Sequence, residues 1–427
     1  MSVFLLALAN VLFPFAAAGY LIFFLLSPRR SLLKSLKSEL AQRCGFVSAE
    51  HKALAANKKA VWIHAASAGE VRSMVKLAPA LRGDAPLIVT CSTSLGREEA
   101  VKLLKPDVCV LAPLDFQPFA KRFVRALHPA RLLVVETELW PNMFAAARWN
   151  GVSIGIINGR MSARSRRSYS FVKPLFSMMM RYTDFACFQT EADAARYESL
   201  GLDRKKITVT GNIKYDLLSD NPPRKAEAER AVSALGWENV KILVCGSTHP
   251  VEEQAIASAL AQLKARGTAI KAAVAPRHLE RLPAVIGAFS SQGLKTALYS
   301  GIAAPPADAD VLVIDTMGLL TSFYGSAYAC FVGGTIENKG GHNLLEAAIF
   351  GKPVLIGPHT QNTPDVAAKL LETGGAVTVS ETTFAEEAAK LADRPETAAA
   401  MGVKARSAAD TFRGATERAL VAIRKAP

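Results

Sequence analysis

An α/β architecture of two doubly wound parallel-sheet domains, preceded by an apolar N-terminal helix, is what this chain predicts. Three observations carry that prediction. At 427 residues, half of them hydrophobic, the chain is too long for one small core and rich enough for two. Apolar strand-like runs alternate with helical stretches along almost its whole length, the pattern of a parallel sheet covered on both faces. The alternation also stops once, at a turn-rich segment, and then restarts.

The first stretch is apolar and uncharged from Val3 to Leu26. As a helix it would reach ~36 Å at ~1.5 Å per residue, enough to cross the hydrocarbon of a bilayer. Pro14 is a place for a kink. The basic residues Arg29, Arg30, Lys34 and Lys37 follow it. A cleaved signal peptide has the reverse layout, a charged leader and a shorter apolar core, so the expectation is a retained anchor over 1–30 with the body on the cytoplasmic side, the alternative being a buried or re-entrant helix.

Strands are then predicted at Val61–His64, Leu87–Cys91, Val108–Leu111, Leu132–Val135 and Val152–Ile157, with Cys187–Gln189 and Ile207–Val209 extending the same sheet. Helices are predicted between them, among them Val71–Leu81 and Pro118–Leu127. Asp220-Asn221-Pro222-Pro223-Arg224 marks the break. Beyond it, strands are expected at Lys241–Cys245, Ile270–Ala275, Ala309–Ile314, Ala329–Val332 and Pro353–Ile356, and the tail from Glu386 reads as helical. The expected domains are therefore 31–220 and 221–427, the second carrying the C-terminal helix. Open parallel sheets bind ligands beyond the carboxyl ends of their strands, so two such Rossmann-like domains suggest a cleft between them.

Lys and Arg exceed Asp and Glu by 14 and the pI is near 9.5, a balance that favours anionic partners. Nucleic acid as that partner lacks a supporting motif and an aromatic platform. The six cysteines include no CxxC pair, and several sit in apolar runs, as in a reduced protein with neither a disulfide framework nor a zinc site.

Four segments carry candidate chemistry. In His64-Ala65-Ala66-Ser67-Ala68-Gly69-Glu70 a strand ends, small residues turn the chain and a helix begins. Glu70 either takes a proton from an attacking hydroxyl, kept ionised by the helix N-terminus, or closes a Ser67-x-x-Glu70 capping box. Glu136-Thr137-Glu138 follows a strand, and carboxylates two apart on extended chain share a face. They line a cleft, or form a polar strand end before a helix opened by Pro141. Lys214, in Gly211-Asn212-Ile213-Lys214, either stabilises charge on a leaving phosphate or is an ordinary surface lysine.

The second domain offers Pro276-Arg277-His278, Asp315-Thr316-Met317-Gly318, Gly333-Gly334-Thr335 and Gly340-Gly341-His342-Asn343-Leu344-Leu345-Glu346. All lie at strand ends or helix starts, where backbone N–H groups meet phosphate, and together they indicate a nucleotide site. Neither GxxxxGK[ST] nor GxGxxG occurs. Arg160, Arg164, Arg166 and Arg167 form a basic cluster, either a grip for acceptor phosphates or a solvated face. Asp308-Ala309-Asp310 has the form of a DxD metal motif but enters an apolar strand, so no metal and no cofactor is expected.

Taken together, HAASAGE, ETELWPN, NGRMSARS, GNIKYD, APRH, DTMG, FVGGTIENKGGHNLLEAA and GPHTQN resemble the Kdo transferase family of Gram-negative bacteria, in family order and over nearly the whole chain. These enzymes move 3-deoxy-D-manno-oct-2-ulosonic acid (Kdo) from CMP-Kdo onto the lipid A precursor. The resemblance implies a GT-B fold and an inverting, metal-independent glycosyltransferase of lipopolysaccharide biosynthesis, held at the anionic inner leaflet of the inner membrane. It implies Glu70 as general base and Glu136 and Lys214 as supports of the transition state. CMP contacts fall on Pro276 and Arg277, on Met317, Gly318 and Leu319, and on Asn343, Leu344, Leu345 and Glu346. The family often carries glutamate where this chain has Leu319, a change that a backbone contact survives and a side-chain contact does not. The alternatives are a transferase of the same architecture using another nucleotide sugar, and a non-catalytic sugar-nucleotide or lipid-binding protein.

Overall fold

The computed structural model describes residues 4–15, 39–56, 59–83, 85–170, 172–303, 305 and 308–426. Contacts divide the chain into two units, Met1–Leu217 with Arg413–Pro427, and Leu218–Phe412. Each is an α/β domain of the Rossmann-like type, built on one parallel sheet.

The first sheet contains β1 (Val61–His64), β2 (Leu87–Cys91), β3 (Val108–Leu111), β4 (Arg131–Val135), β5 (Ser153–Gly159), β6 (Phe185–Phe188) and β7 (Ile207–Val209). Their order is β3-β2-β1-β4-β5-β6-β7, and every pairing is parallel. These strands are continuous apolar runs because both faces are covered. Trp62, Ile88, Leu132, Val134 and Ile154 point into one core, and Ile63, Val89, Leu133 and Val135 into the other.

That second core also holds Ala415, Ala419, Leu420 and Ile423 of the C-terminal helix Ala415–Lys425. The expectation that this helix belongs to the second domain is corrected here. Its apolar stripe is buried on the first sheet, and Arg131 donates to the Ile423 carbonyl at 2.9 Å. The expected helix Val71–Leu81 is two short ones, Ala68–Ser73 and Leu77–Arg82.

In the second domain β8 (Lys241–Thr248), β9 (Ile270–Pro276), β10 (Thr296–Leu298), β11 (Val311–Val313), β12 (Ala329–Val332), β13 (Val354–Ile356) and β14 (Ala376–Thr378) form a parallel sheet ordered β10-β11-β9-β8-β12-β13-β14. The short outer strands β10 and β14 were not expected from sequence. Strand order reverses between β1 and β4 in the first sheet and between β8 and β12 in the second. Those two switch points are where a doubly wound sheet opens a crevice for ligand.

Of the expected anchor, residues 1–3 and 16–30 lie outside the described residues. Residues 4–15 are helical. Leu6 packs with Ala145 and Met178, and the Phe13 ring stacks on Phe116 with centroids 4.7 Å apart. Asn10 donates to Asn142 Oδ1 at 2.8 Å. The other face of this helix exposes Phe4, Leu8, Val11, Leu12 and Phe15. Among the described residues, no helix is long and apolar enough to cross a membrane.

Candidate functional site

In the first domain the segments after β1, β4, β5 and β7 gather a charged cluster at the switch point. Ser67 is extended, and its hydroxyl caps the helix Ala68–Ser73 by accepting from the Glu70 N–H. The Glu70 carboxylate turns back over the helix start. One oxygen accepts from the Ala66 N–H at 2.8 Å and the other from the Ser67 hydroxyl at 2.9 Å. The capping geometry is therefore formed, yet it takes one bond per oxygen and leaves lone pairs on a half-buried carboxylate.

The helix start is not the only influence on Glu70. Burial pushes its carboxyl above the usual range, the bonds from Ser67 and Ala66 work against that, and the charges of Glu138 and Glu136 add to it. A carboxyl raised in this way is a better proton acceptor once ionised.

Glu136 and Glu138 do not share one extended face. The strand ends at Val135, and Glu136 takes a left-handed backbone, φ 59°, which sends the two side chains to different partners. Such a conformation is strained for a non-glycine residue and is held by its surroundings. Glu136 is 5% exposed and accepts Lys214 Nζ at 2.5 Å on one oxygen, while Arg160 Nε lies 2.9 Å from the other. Lys214 sits in the 3-10 turn Ile213–Leu217 and is thus committed to a carboxylate. Asn158, also left-handed at φ 55°, binds the Ile213 N–H through Oδ1 at 3.1 Å and so fixes the start of that turn. Arg160 thereby leaves the basic cluster it was grouped with, whereas Arg164, Arg166 and Arg167 stay exposed on the helix Ala163–Ser170.

Glu138 accepts from Trp140 Nε1 at 2.8 Å and lies 3.7 Å from His64 Nε2. Burial alone would raise its carboxyl, but the His64 and Trp140 contacts outweigh burial and hold it below the usual range. His64 is 1% exposed, with Nδ1 2.9 Å from Thr90 Oγ1, and its Nε2 has no hydrogen-bond partner among the described residues. His64 stands in the HAASAGE motif, but nothing local in the sequence marks it for a role. The nearby Cys91 thiol, pushed up to about 12 chiefly by burial, is no nucleophile.

In the second domain a cavity of about 200 Å3 lies at the carboxyl ends of β8, β9 and β11, lined among others by Ser247, Pro276, Arg277, Met317, Gly318 and Glu346. Pro276, Arg277, Met317, Gly318 and Glu346 of the expected nucleotide residues thus share one wall. Among the described residues Arg277 has no carboxylate within ion-pair distance. Gly318 is left-handed, φ 79°, and the Met317 side chain is 70% exposed.

Other expected contacts lie elsewhere. The side chains of Leu319, Leu344 and Leu345 are buried in the core, so a ligand would meet only their backbone. Asn343 accepts the Leu345 N–H at 3.2 Å and donates to Glu346 at 3.1 Å. The helix it opens, Leu345–Ala348, is a single turn and offers little dipole.

The Gly333-Gly334-Thr335 station is also corrected. The Gly333 N–H donates to the Gly246 carbonyl, and the next three are taken by Glu252, a wholly buried carboxylate that accepts from Gly334 at 2.9 Å, Thr335 at 2.9 Å and Ile336 at 3.0 Å. A nest of amides that could hold phosphate therefore holds an internal anion. Glu252 was missed because an acid in a first helical turn reads as a dipole complement. Asp310 is likewise committed, to Lys264 at 2.8 Å and Lys271 at 3.0 Å.

The first domain thus carries a half-buried carboxylate at its switch point, and the second carries a cavity with a guanidinium unpaired among the described residues. The family model for 3-deoxy-D-manno-octulosonic-acid transferase (kdotransferase) matches residues 38–217. The chain is 33% identical over 347 residues to 3-deoxy-D-manno-octulosonic acid transferase of Chlamydophila psittaci, covering 79% of this chain and 78% of the relative. It is 32% identical over 359 residues to the same-named protein of Haemophilus influenzae, covering 83% and 82%. A solved glycosyltransferase from Rickettsia africae shares the fold with TM-score 0.61 at 13% identity, covering 86% of this chain and 98% of that one. At that identity the likeness speaks for the fold alone. The chain belongs to the 3-deoxy-D-manno-octulosonic acid transferase family and is a glycosyltransferase.

Proposed function

We propose that this glycosyltransferase moves Kdo from CMP-Kdo onto a lipid A precursor, with inversion and without a metal, and that Glu70 is the general base. The observation that carries this reading is the half-buried Glu70 carboxylate, oriented by Ala66 and Ser67 at the switch point of the first sheet. In the proposed step an acceptor hydroxyl attacks the anomeric carbon of the donor. Its proton passes to Glu70, the bond from that carbon to the phosphate oxygen breaks, and CMP leaves with the electron pair. One displacement inverts the centre.

The CMP moiety is assigned to the cavity bearing Arg277, where the guanidinium meets the phosphate and the Glu346 carboxylate suits ribose hydroxyls. Positive charge from side chains takes the part a metal has in other transferases, and of the two acids in the DxD-like segment Asp310 is already paired with two lysines. Glu136, Lys214 and Arg160 form a fixed charged network beside the base, a preorganised support for the charge that shifts in the transition state.

A lipid acceptor fits a body held at the inner leaflet of the inner membrane, on its cytoplasmic side. Two features support that placement: the apolar face of Phe4, Leu8, Val11, Leu12 and Phe15, and the basic residues Arg29, Arg30, Lys34 and Lys37 that follow in sequence.

The test is a product assay with CMP-Kdo and a tetraacylated lipid A precursor, read by mass spectrometry with and without chelator. Acceptor masses raised by whole Kdo units, unchanged by chelator, are expected. Turnover with a UDP-sugar and none with CMP-Kdo would overturn the donor assignment, and strict metal dependence the metal-free mechanism.

A further inference from the structure

The switch point of the second sheet is closed by two histidines. His249 follows β8 directly, and His342 lies in the loop after β12. Their Nε2 atoms are 3.0 Å apart. The ring planes are 3° from parallel with centroids 5.3 Å apart. Rings stacked face to face would have closer centroids, so this is an edge-to-edge contact in which one imidazole donates N–H to the other. Each ring therefore presents its Nδ1 edge away from the shared bond, and the ring that accepts carries its proton there. Two cationic rings could not make this contact. Burial, with the charges of His249, Arg277 and His278, brings His342 down to about 4, in keeping with a neutral pair.

The surroundings are built for an anion beside these rings. The ring of His278 lies 5.9 Å from that of His249, centroid to centroid. Arg277 and Lys339 act on His249 as positive charges and Glu337 as a negative one. Lys339 and Glu337 pair at 3.0 Å, and His278 meets Glu280 at 3.2 Å, which leaves Arg277 without a carboxylate among the described residues. The loop is held close: a Cβ at Gly333 would land on the Ser247 carbonyl, and one at Gly334 would meet the His342 ring at 3.0 Å.

Strand order supplies the direction. The cavity lies over β11, β9 and β8, and the histidine pair over β8 and β12, the next position along the sheet. Neighbouring strands are ~4.8 Å apart, so a group joined to the phosphate of a nucleotide in the cavity reaches the pair within one or two strand spacings.

We propose that the His249–His342 pair, with Arg277 at its edge, is a subsite for the carboxylate of the donor sugar and selects an acidic sugar over a neutral one. This rests on the reading of the cavity as the place of CMP. A carboxylate joined directly to the anomeric carbon sits next to the phosphate, so one patch of donors at this switch point serves both anions.

The experiment measures equilibrium affinity for CMP and, without acceptor, for CMP-Kdo, on the full chain and on His342→Ala and His342→Gln. His342→Ala is expected to weaken CMP-Kdo about tenfold or more and to leave CMP within about twofold, because a hydrogen bond to a charged group is lost from the sugar side alone. His342→Gln keeps an N–H donor and should recover part of the difference. If both affinities fall together, or neither changes, the pair is only a tie between two loops and the proposal is overturned. If the alanine variant does not fold, the glutamine variant decides alone, and an unchanged ratio of the two affinities overturns the proposal. An unaltered chain that binds no CMP contradicts the cavity reading itself, a separate failure.

Discussion

The switch points of the two sheets occupy the same place in the same kind of topology and carry opposite chemistry. In the first domain it collects acids: Glu70 on the helix start, Glu138 against His64, and Glu136 pinned by Lys214 and Arg160. In the second it collects Arg277 and a bonded imidazole pair, and of the acids there Glu252 is turned inward to tie off a glycine loop, Glu337 is paired with Lys339 and Glu346 is bonded to Asn343. Topology thus sets where each crevice lies, and the residues just past the strands decide whether it presents carboxylates or cations.

Breaking this contrast on the acid side should have the largest effect. Glu70→Gln keeps the shape and both neighbours but cannot accept a proton, so turnover should fall by a factor of about 10^2 to 10^4. On the other side, Glu252→Ala would strand several amides around a buried hollow. Unfolding in denaturant should show a loss of about 2–4 kcal/mol, with remaining activity following the folded fraction. Retained stability would mean that the loop is held by other contacts.

Arg277→Ala should weaken CMP and the donor about tenfold in parallel, seen by calorimetry, because the proposed charge-assisted contact to phosphate would serve both. The smallest effects sharpen the picture of Glu70. A general base works ionised, so if Glu70 has the proposed role the rate should fall as pH drops through a pKa that burial has raised, at higher pH than for an ordinary glutamate. Glu138→Gln removes a like charge and should move this acid limb down. Ser67→Ala removes a bond to the carboxylate and should move it up. Both shifts are fractions of a unit, read from rate against pH.

Much of this was legible in the sequence, and the failures are physical. Strands such as Val61–His64 and Leu87–Cys91 announce themselves because burial on both faces demands unbroken apolar runs. The short strands Thr296–Leu298 and Ala376–Thr378 are too brief and too exposed at their ends to do so. Motifs located the candidate residues but not their partners. Ser67-x-x-Glu70 left capping and catalysis as rivals, whereas the structure forms the cap with the same carboxylate that stays available. Alternation placed Glu136 and Glu138 on one face, and a single left-handed residue undid it. The contact of His249 with His342 spans 93 positions and exists only because β8 and β12 are neighbours, which no local pattern encodes.

The most direct test of this division of labour is the CMP affinity of Glu70→Gln, titrated on the preparation whose turnover has been lost. An affinity equal to that of the unaltered chain is predicted, since the cavity around Arg277 is built wholly from the second domain. A fall in CMP affinity that matches the fall in turnover would show that Glu70 serves the nucleotide, and would contradict its place as the base.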